Sequence, residues 1–379
     1  MRLAILLLIW PLQLAAATTT GWIGTYTGTN DEATGSRGIY SFQWDSEKGV
    51  FSGIRAAGTT SNPSFLALHP SGRFLYAVNE DALPSGGDHI TAFAIGDAAS
   101  PAALRVIGSV SSHGRAPCHL SIDSTGKWLF VANYFSGTIA VYPIQPDGRL
   151  GEVRQSIQQQ GSGPVAGHQE GAHAHQVVLS PDGRFLLSVD LGADRIFVYR
   201  FDADSGSLTP NSTPEAIFPP GYGPRHLVFS SDARRIYVMT ELTPAVVTLR
   251  WNARRGTLTR LGVTSTLPTA DRDEHSGAEI VLHPSGKFLY ASNRGNSNTI
   301  AIFRVVRNGL PIPAGHVSSM GRLPRFFGTD PSGRFLIVAN QGSGNLITFS
   351  IDPVSGALSP TGAAVTIPSP VNFVFSEPR

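Results

Sequence analysis

The amino-acid sequence predicts an all-β protein, a seven-bladed β-propeller of four-stranded antiparallel blades whose last blade is closed by both chain ends. Three observations predict it. A unit of about fifty residues recurs along the chain, the spacing of a propeller blade built from several strands. Gly (41) and Pro (27) are abundant while charged residues are only 15%, which favours many short strands and turns. No segment of useful length carries apolar residues at the helix period.

The units announce themselves at their central turns: "HPSGRFLYAVNE", "DSTGKWLFVANY", "SPDGRFLLSVDL", "SSDARRIYVMTE", "HPSGKFLYASNR" and "DPSGRFLIVANQ". They begin at His69, Asp123, Ser180, Ser230, His283 and Asp330, in steps of 54, 57, 50, 53 and 47 residues. In each unit an apolar strand leads into the turn. A second apolar strand leaves it, and a third and a more variable fourth follow. Glycine supplies the positive φ of a tight hairpin. Ala233 replaces it in the fourth unit, which predicts a different turn type there.

The seventh unit is split. "SPVNFVFSEP" at the C-terminus reads as the first strand of a unit, like "NPSFLALHP". "GWIGTYTGT" and "RGIYSFQWD" near the N-terminus read as later strands. Joining them closes the ring and removes its free edges. No linker divides residues 18–379, so one propeller domain is expected.

Residues 1–17 are expected to be a cleaved secretory signal. Arg2 is the positive start, Leu3 to Leu14 the apolar stretch, and Ala15-Ala16-Ala17 the small-residue cleavage site. The run is too short to span a bilayer and contains Pro11. The mature chain is thus expected to be periplasmic or secreted, off the membrane, and monomeric. Cys118 is the only cysteine, so no internal disulfide can form and Cys118 reads as a small packed residue. A net charge of +2 gives no basic field, and no nucleic-acid partner is expected.

In an antiparallel meander the start of the first strand lies beside the end of the second, on one face near the central channel. Two columns of the repeat therefore matter. Eight residues before the turn glycine stand Ser64, Cys118, His175, Arg225, Ala278 and Arg325, followed by Phe65, His119, Gln176, His226, Glu279 and Phe326. Eight residues after it stand Glu80, Tyr134, Leu191, Glu241, Arg294 and Gln341. The residues just before these (Asn79, Asn133, Asp190, Thr240, Asn293 and Asn340) are nearly uniform and read as turn caps. The non-uniform His, Arg and Glu residues are the candidate site. Buried charge is costly unless paired or used. Inter-blade salt bridges or a wet channel would also account for it.

"GAHAHQVVLS" places His173 and His175 two positions apart, on one face if both lie in a strand. A metal site would need a third ligand such as His119, His226, Glu241 or Glu279. No CxxC, HExxH or acidic calcium loop is present, and no GxSxG. No metal and no cofactor are expected.

The chain resembles the seven-bladed lactonase propellers, which include the propeller-type 6-phosphogluconolactonases and carboxy-cis,cis-muconate cyclase. The resemblance runs through "GTYTG", "HAHQVVLSPDGRFLLSVDLGADRIFVY", "GPRHLVF" with "TEL", and "SNRGNSNTIAIF", and covers essentially all of the mature chain. It implies a catalytic set of His175, Arg225, Glu241 and Arg294. Thr240 departs from the Asn usual before that glutamate. His173, His119, His226, Glu279, Arg325 and Gln341 are expected to contact substrate. The implied activity is lactone hydrolysis on a small-molecule lactone in the central pocket. Either His175 or Glu241 would activate water, and the two arginines would hold the oxyanion. The alternatives are a carboxymuconate cycloisomerase and a non-enzymatic binding propeller.

Overall fold

The computed structural model describes residues 18–376 except 30–31, 83–87, 97–102 and 269–273. The expected signal segment, 1–17, lies outside the described residues. Seven four-stranded antiparallel sheets form the ring, with one two-stranded hairpin, Gly28–Thr29 and Glu32–Ala33, at its rim. In chain order the complete blades occupy residues 65–111, 117–158, 174–217, 224–265, 275–318 and 324–366, numbered here first to sixth. The seventh is split as expected. Its innermost strand is Pro370–Phe375, which pairs with Thr18–Thr25, and Ile39–Asp45 and Val50–Gly58 complete it.

Burial follows strand order within a blade. The second strands are the most apolar runs, and Phe74–Asn79, Trp128–Asn133, Phe185–Asp190 and Phe335–Asn340 are buried along their whole length. Both of their faces pack on neighbouring blades. The fourth strands, such as Val50–Gly58, are exposed or half-buried along their length. The core is therefore a set of inter-blade layers. One layer joins Leu187, Val189 and Val198 of the third blade to Leu227, Val238 and Trp251 of the fourth.

Polar contacts repeat with the blades. Tyr76, Tyr237 and Tyr290 each donate a hydroxyl hydrogen bond to a glycine carbonyl in the next blade's outer hairpin: Gly148 at 2.8 Å, Gly309 at 2.9 Å and Gly356 at 2.9 Å. A Cβ at Gly148, whose φ is +85°, would meet the Phe74 ring at 2.3 Å, so this close approach requires glycine. His69 and His283 are absorbed by the scaffold. Each sets one ring nitrogen against a neighbouring turn carbonyl, Gly126 at 2.9 Å and Gly333 at 2.7 Å.

The structure corrects one expectation here. Ala233 does not change the turn type. Its φ is 53° and its N–H reaches the Ser230 carbonyl at 2.8 Å, while Gly183 has φ 69° and reaches Ser180 at the same 2.8 Å. Ser230 Oγ fixes this turn by donating to Asp232 and accepting the Arg235 N–H. Together with the flanking ladders, it holds alanine in a left-handed conformation that costs about 1 kcal/mol.

Candidate active site at the channel mouth

A β-bulge repeated around the ring builds the site. In the first strand of five blades the pairing register skips Cys118, His175, Arg225, the Ala278-Glu279 pair, or Arg325. In the split blade it skips Val371. A bulge residue leaves the ladder and its side chain is re-aimed. Cys118, His175, Arg225, Glu279, Arg325 and Val371 accordingly all line one narrow axial cavity. That cavity holds about 10 Å³, room for one water.

The fourth and fifth blades supply the charged centre. Arg225 Nε pairs with Glu241 Oε2 at 2.9 Å, and Arg294 Nη2 pairs with Glu241 Oε1 at 3.0 Å. Both guanidiniums are also anchored on the bulged strand. Arg225 Nη1 donates to the Ala278 carbonyl at 2.8 Å and Arg294 Nη2 to that of Gly277 at 2.9 Å. Burial alone would raise the Glu241 carboxyl, but Arg294, Arg225 and Arg325 together hold it below its ordinary value. Burial, then repulsion from Arg294 and Arg325, lowers Arg225 to about 10, so it remains a cation at neutral pH.

Three imidazoles meet edge to face beside this centre. His175 and His226 lie 5.1 Å apart between ring centres, His119 and His226 5.5 Å, and Phe65 covers His119 at 4.2 Å. Burial, then the positive charge of Arg225, pushes His175 well below the ordinary imidazole value, so it is neutral. Burial and Arg225 do the same to His226. His226 Nδ1 faces both oxygens of Glu279, at 2.9 and 3.0 Å, while its buried Nε2 has no protein partner. Burial raises Glu279 to about 7, against the pull of Arg225. Burial also raises the Cys118 thiol, which packs as expected against the carbonyl of His175 at 3.4 Å. Among the described residues no three of His, Cys, Asp and Glu are arranged to hold a metal ion.

His173 and His175 do not share a strand face. The first ladder pair is Ala174 with Asp190, so His173 lies ahead of the strand and His175 is the bulge residue. His173 stacks on Tyr134 at 4.6 Å and sets Nδ1 2.8 Å from the Tyr134 carbonyl. Its backbone N–H donates to Asp190 Oδ1 at 2.8 Å. The uniform column is structural, as expected: Asn133 and Asn340 each donate to the carbonyl of an incoming inter-blade connection, Ser112 and Ser319, at 3.0 Å.

Arg325 belongs to a second charged group at the same mouth. Its Nη2 lies 3.7 Å from Glu80 Oε1, and its guanidinium stands 5.4 Å from the Tyr26 ring centre. Tyr26 donates to Glu80 Oε2 at 2.7 Å. The roles implied by the family resemblance include neither Glu80, which the repeat column had placed among the candidates, nor Tyr134 of the same column, nor Tyr26. Gln341 is anchored through its backbone N–H to the Leu323 carbonyl at 2.9 Å.

Comparison with known proteins points the same way. Residues 20–375 match the family described as "Lactonase, 7-bladed beta-propeller". The 6-phosphogluconolactonase of Bacillus subtilis is 34% identical over 356 residues, 94% of this chain and 97% of that protein. The 6-phosphogluconolactonase of Formosa agariphila is 34% identical over 82% of this chain and 86% of its own. Among solved structures, the periplasmic gluconolactonase of Pseudomonas aeruginosa superposes with a TM-score of 0.88 at 33% identity, covering 96% of this chain and all of that one.

Proposed function

The chain belongs to the seven-bladed β-propeller lactonase family, and on that premise we propose that it hydrolyses an aldonolactone at the mouth of its central channel, without a metal. The observation that carries this reading is the Glu241 carboxylate held between Arg225 and Arg294 beside a neutral His175.

His175 takes a proton from water as the oxygen attacks the ring carbonyl. Glu241 is a weak base because two guanidiniums neutralise it, so its role is to fix them. Each guanidinium has five N–H donors, and the contacts with Glu241, Ala278 and Gly277 use only part of them. The remaining donors face the developing oxyanion, whose charge they stabilise in a largely desolvated setting. Collapse of the tetrahedral intermediate breaks the ring C–O bond, and the leaving alkoxide takes the proton that His175 holds. Glu279 and His226 line the axial cavity, where Nδ1 of the neutral imidazole lies 2.9 Å from the carboxyl. A cleaved 1–17 leader would place the enzyme outside the cell or in the periplasm, and the periplasm is the location named for the Pseudomonas relative.

Proton release in a pH-stat tests the reading, with glucono-δ-lactone and 6-phosphogluconolactone in parallel and spontaneous hydrolysis subtracted. Acceleration that His175→Ala abolishes supports it. No acceleration of either lactone, with ring closure of a carboxymuconate instead, would replace hydrolysis by cycloisomerase chemistry, in which a carboxylate oxygen and a proton add across a C=C bond.

A further inference from the structure

Beside the candidate site lies a second, much larger depression that the proposed hydrolysis does not use. It encloses about 1020 Å³, at the upper end of small-molecule pockets. One wall is the end of the second blade's second strand, Tyr134 and Phe135. The other is the connection 159–173 between the second and third blades. That connection runs to fifteen residues, whereas 59–64, 112–116, 218–223 and 319–323 make the same crossing in five or six. The long step of 57 residues between Asp123 and Ser180 is its trace in the sequence.

The wall is tied down. Gln169, fully buried, donates Nε2 to the Leu191 carbonyl at 2.8 Å, and its own carbonyl accepts the Gly163 N–H at 2.9 Å. The depression adjoins the site at Tyr134, which stacks on His173 and meets the His175 ring edge-on at 5.5 Å.

Its chemistry suits a neutral, hydroxyl-rich ligand. No Arg or Lys lines it. Gln160 and Ser162 supply amide and hydroxyl groups that both donate and accept, and Gln158, whose Nε2 is spent on the Ser136 and Gln159 carbonyls, adds an acceptor. Glu170 adds a carboxylate held below its ordinary value by the Gly167 N–H. Phe135 is 51% exposed, an apolar platform of the kind that covers the C–H face of a sugar ring. Arg115 approaches that ring at 5.9 Å from outside the lining. At the mouth itself, Arg225 and Arg294 share Glu241, Arg325 pairs with Glu80, and Glu279 lies in the same cavity, so no more than one positive charge is left for the oxyanion.

Resting on the lactonase reading, we propose that this groove is a subsite for an uncharged glycosyl substituent on the lactone ring. The preferred substrates are then the aldonolactones of disaccharides, with the second sugar seated between Phe135 and the 159–173 connection.

The experiment compares glucono-δ-lactone, cellobiono-δ-lactone and 6-phosphogluconolactone on the wild type, Phe135→Ala and Gln160→Ala, with cellobiose binding to each protein measured by calorimetry. The expected result is a KM for the disaccharide lactone several-fold below that for gluconolactone. Phe135→Ala removes this advantage and weakens cellobiose binding about tenfold, while gluconolactone turnover stays unchanged. Equal kcat/KM for the two neutral lactones in the wild type overturns the proposal. So does a preference for the phosphorylated lactone that Phe135→Ala abolishes. If no lactone is hydrolysed, the catalytic reading has failed, and the cellobiose titrations alone then decide the groove: binding that Phe135→Ala leaves untouched, or no binding, rejects it.

Discussion

Arg225 Nε stands 2.9 Å from Glu241 Oε2, and this contact fixes more than one residue, because the other oxygen of the same carboxylate holds Arg294 at 3.0 Å. One acid from the fourth blade thereby orients two bases from adjacent blades. Residues that act as a unit lose function together. Arg225→Ala and Glu241→Gln should each lower kcat/KM by about 10²–10³, and the double variant should be no worse than the poorer single one. Losses that multiply would show that the two act independently. Steady-state kinetics on the best lactone reads either result.

The acid limb of activity should lie unusually low. Burial and Arg225 hold His175 well below the ordinary imidazole value of about 6.5. The base therefore stays unprotonated as pH falls through that value, and kcat/KM should be level from pH 8 to below pH 6. A limb centred at 6.5 or higher would assign the base to another group.

Asp190 should make the fold pH-sensitive. Burial raises its carboxyl to about 6 from 3.8, against the pull of the His173 and Ala193 N–H groups, and its Oδ2 has no protein partner. The folded state then binds more protons than the unfolded one between about pH 4 and 6, so stability falls as pH rises across that window. Four equivalent positions in other blades carry asparagine: Asn79, Asn133, Asn293 and Asn340. Asp190→Asn should therefore gain stability relative to wild type between pH 4 and 6, with a constant difference outside that window. Thermal melts across pH 3–8 test this, and a difference independent of pH would refute it.

Ala233→Gly should stabilise the protein. Alanine holds φ 53° in a turn where five other units have glycine. Relief of that conformation is worth about 1–2 kcal/mol, and the greater freedom of unfolded glycine returns about 0.4–1 kcal/mol. A higher denaturation midpoint with an unchanged m-value is the expected outcome, and no shift would mean the ladder absorbs the strain.

The architecture was legible because its signal is local and repeated. The turns at His69 through Asp330 fix the period, and two columns eight residues either side of the turn isolate His175, Arg225, Glu241 and Arg294. The bulge was not legible. It is a mismatch between two strands, visible only when Ala174 is seen opposite Asp190 and Gln176 opposite Val189. Alternation therefore put His173 and His175 on one face, where the register separates them. The Tyr26–Glu80–Arg325 group was hidden for another reason. Its members come from the seventh, first and sixth blades, and only ring closure brings them together. The turn at Ala233 failed as a prediction because tertiary restraint overrode a residue preference.

The closure has a consequence in time. Pro370–Phe375 follows the six complete blades in the chain, yet it is the innermost strand of its blade, and its Val371 borders the axial cavity. Tyr26, near the opposite end of the chain, completes the Glu80–Arg325 group. A nascent chain that has made six blades still has an open arc with two unpaired flanks and a mouth whose members have not met. Until Pro370–Phe375 seats against Thr18–Thr25, the axial cavity lacks its Val371 wall and the ring has no seal.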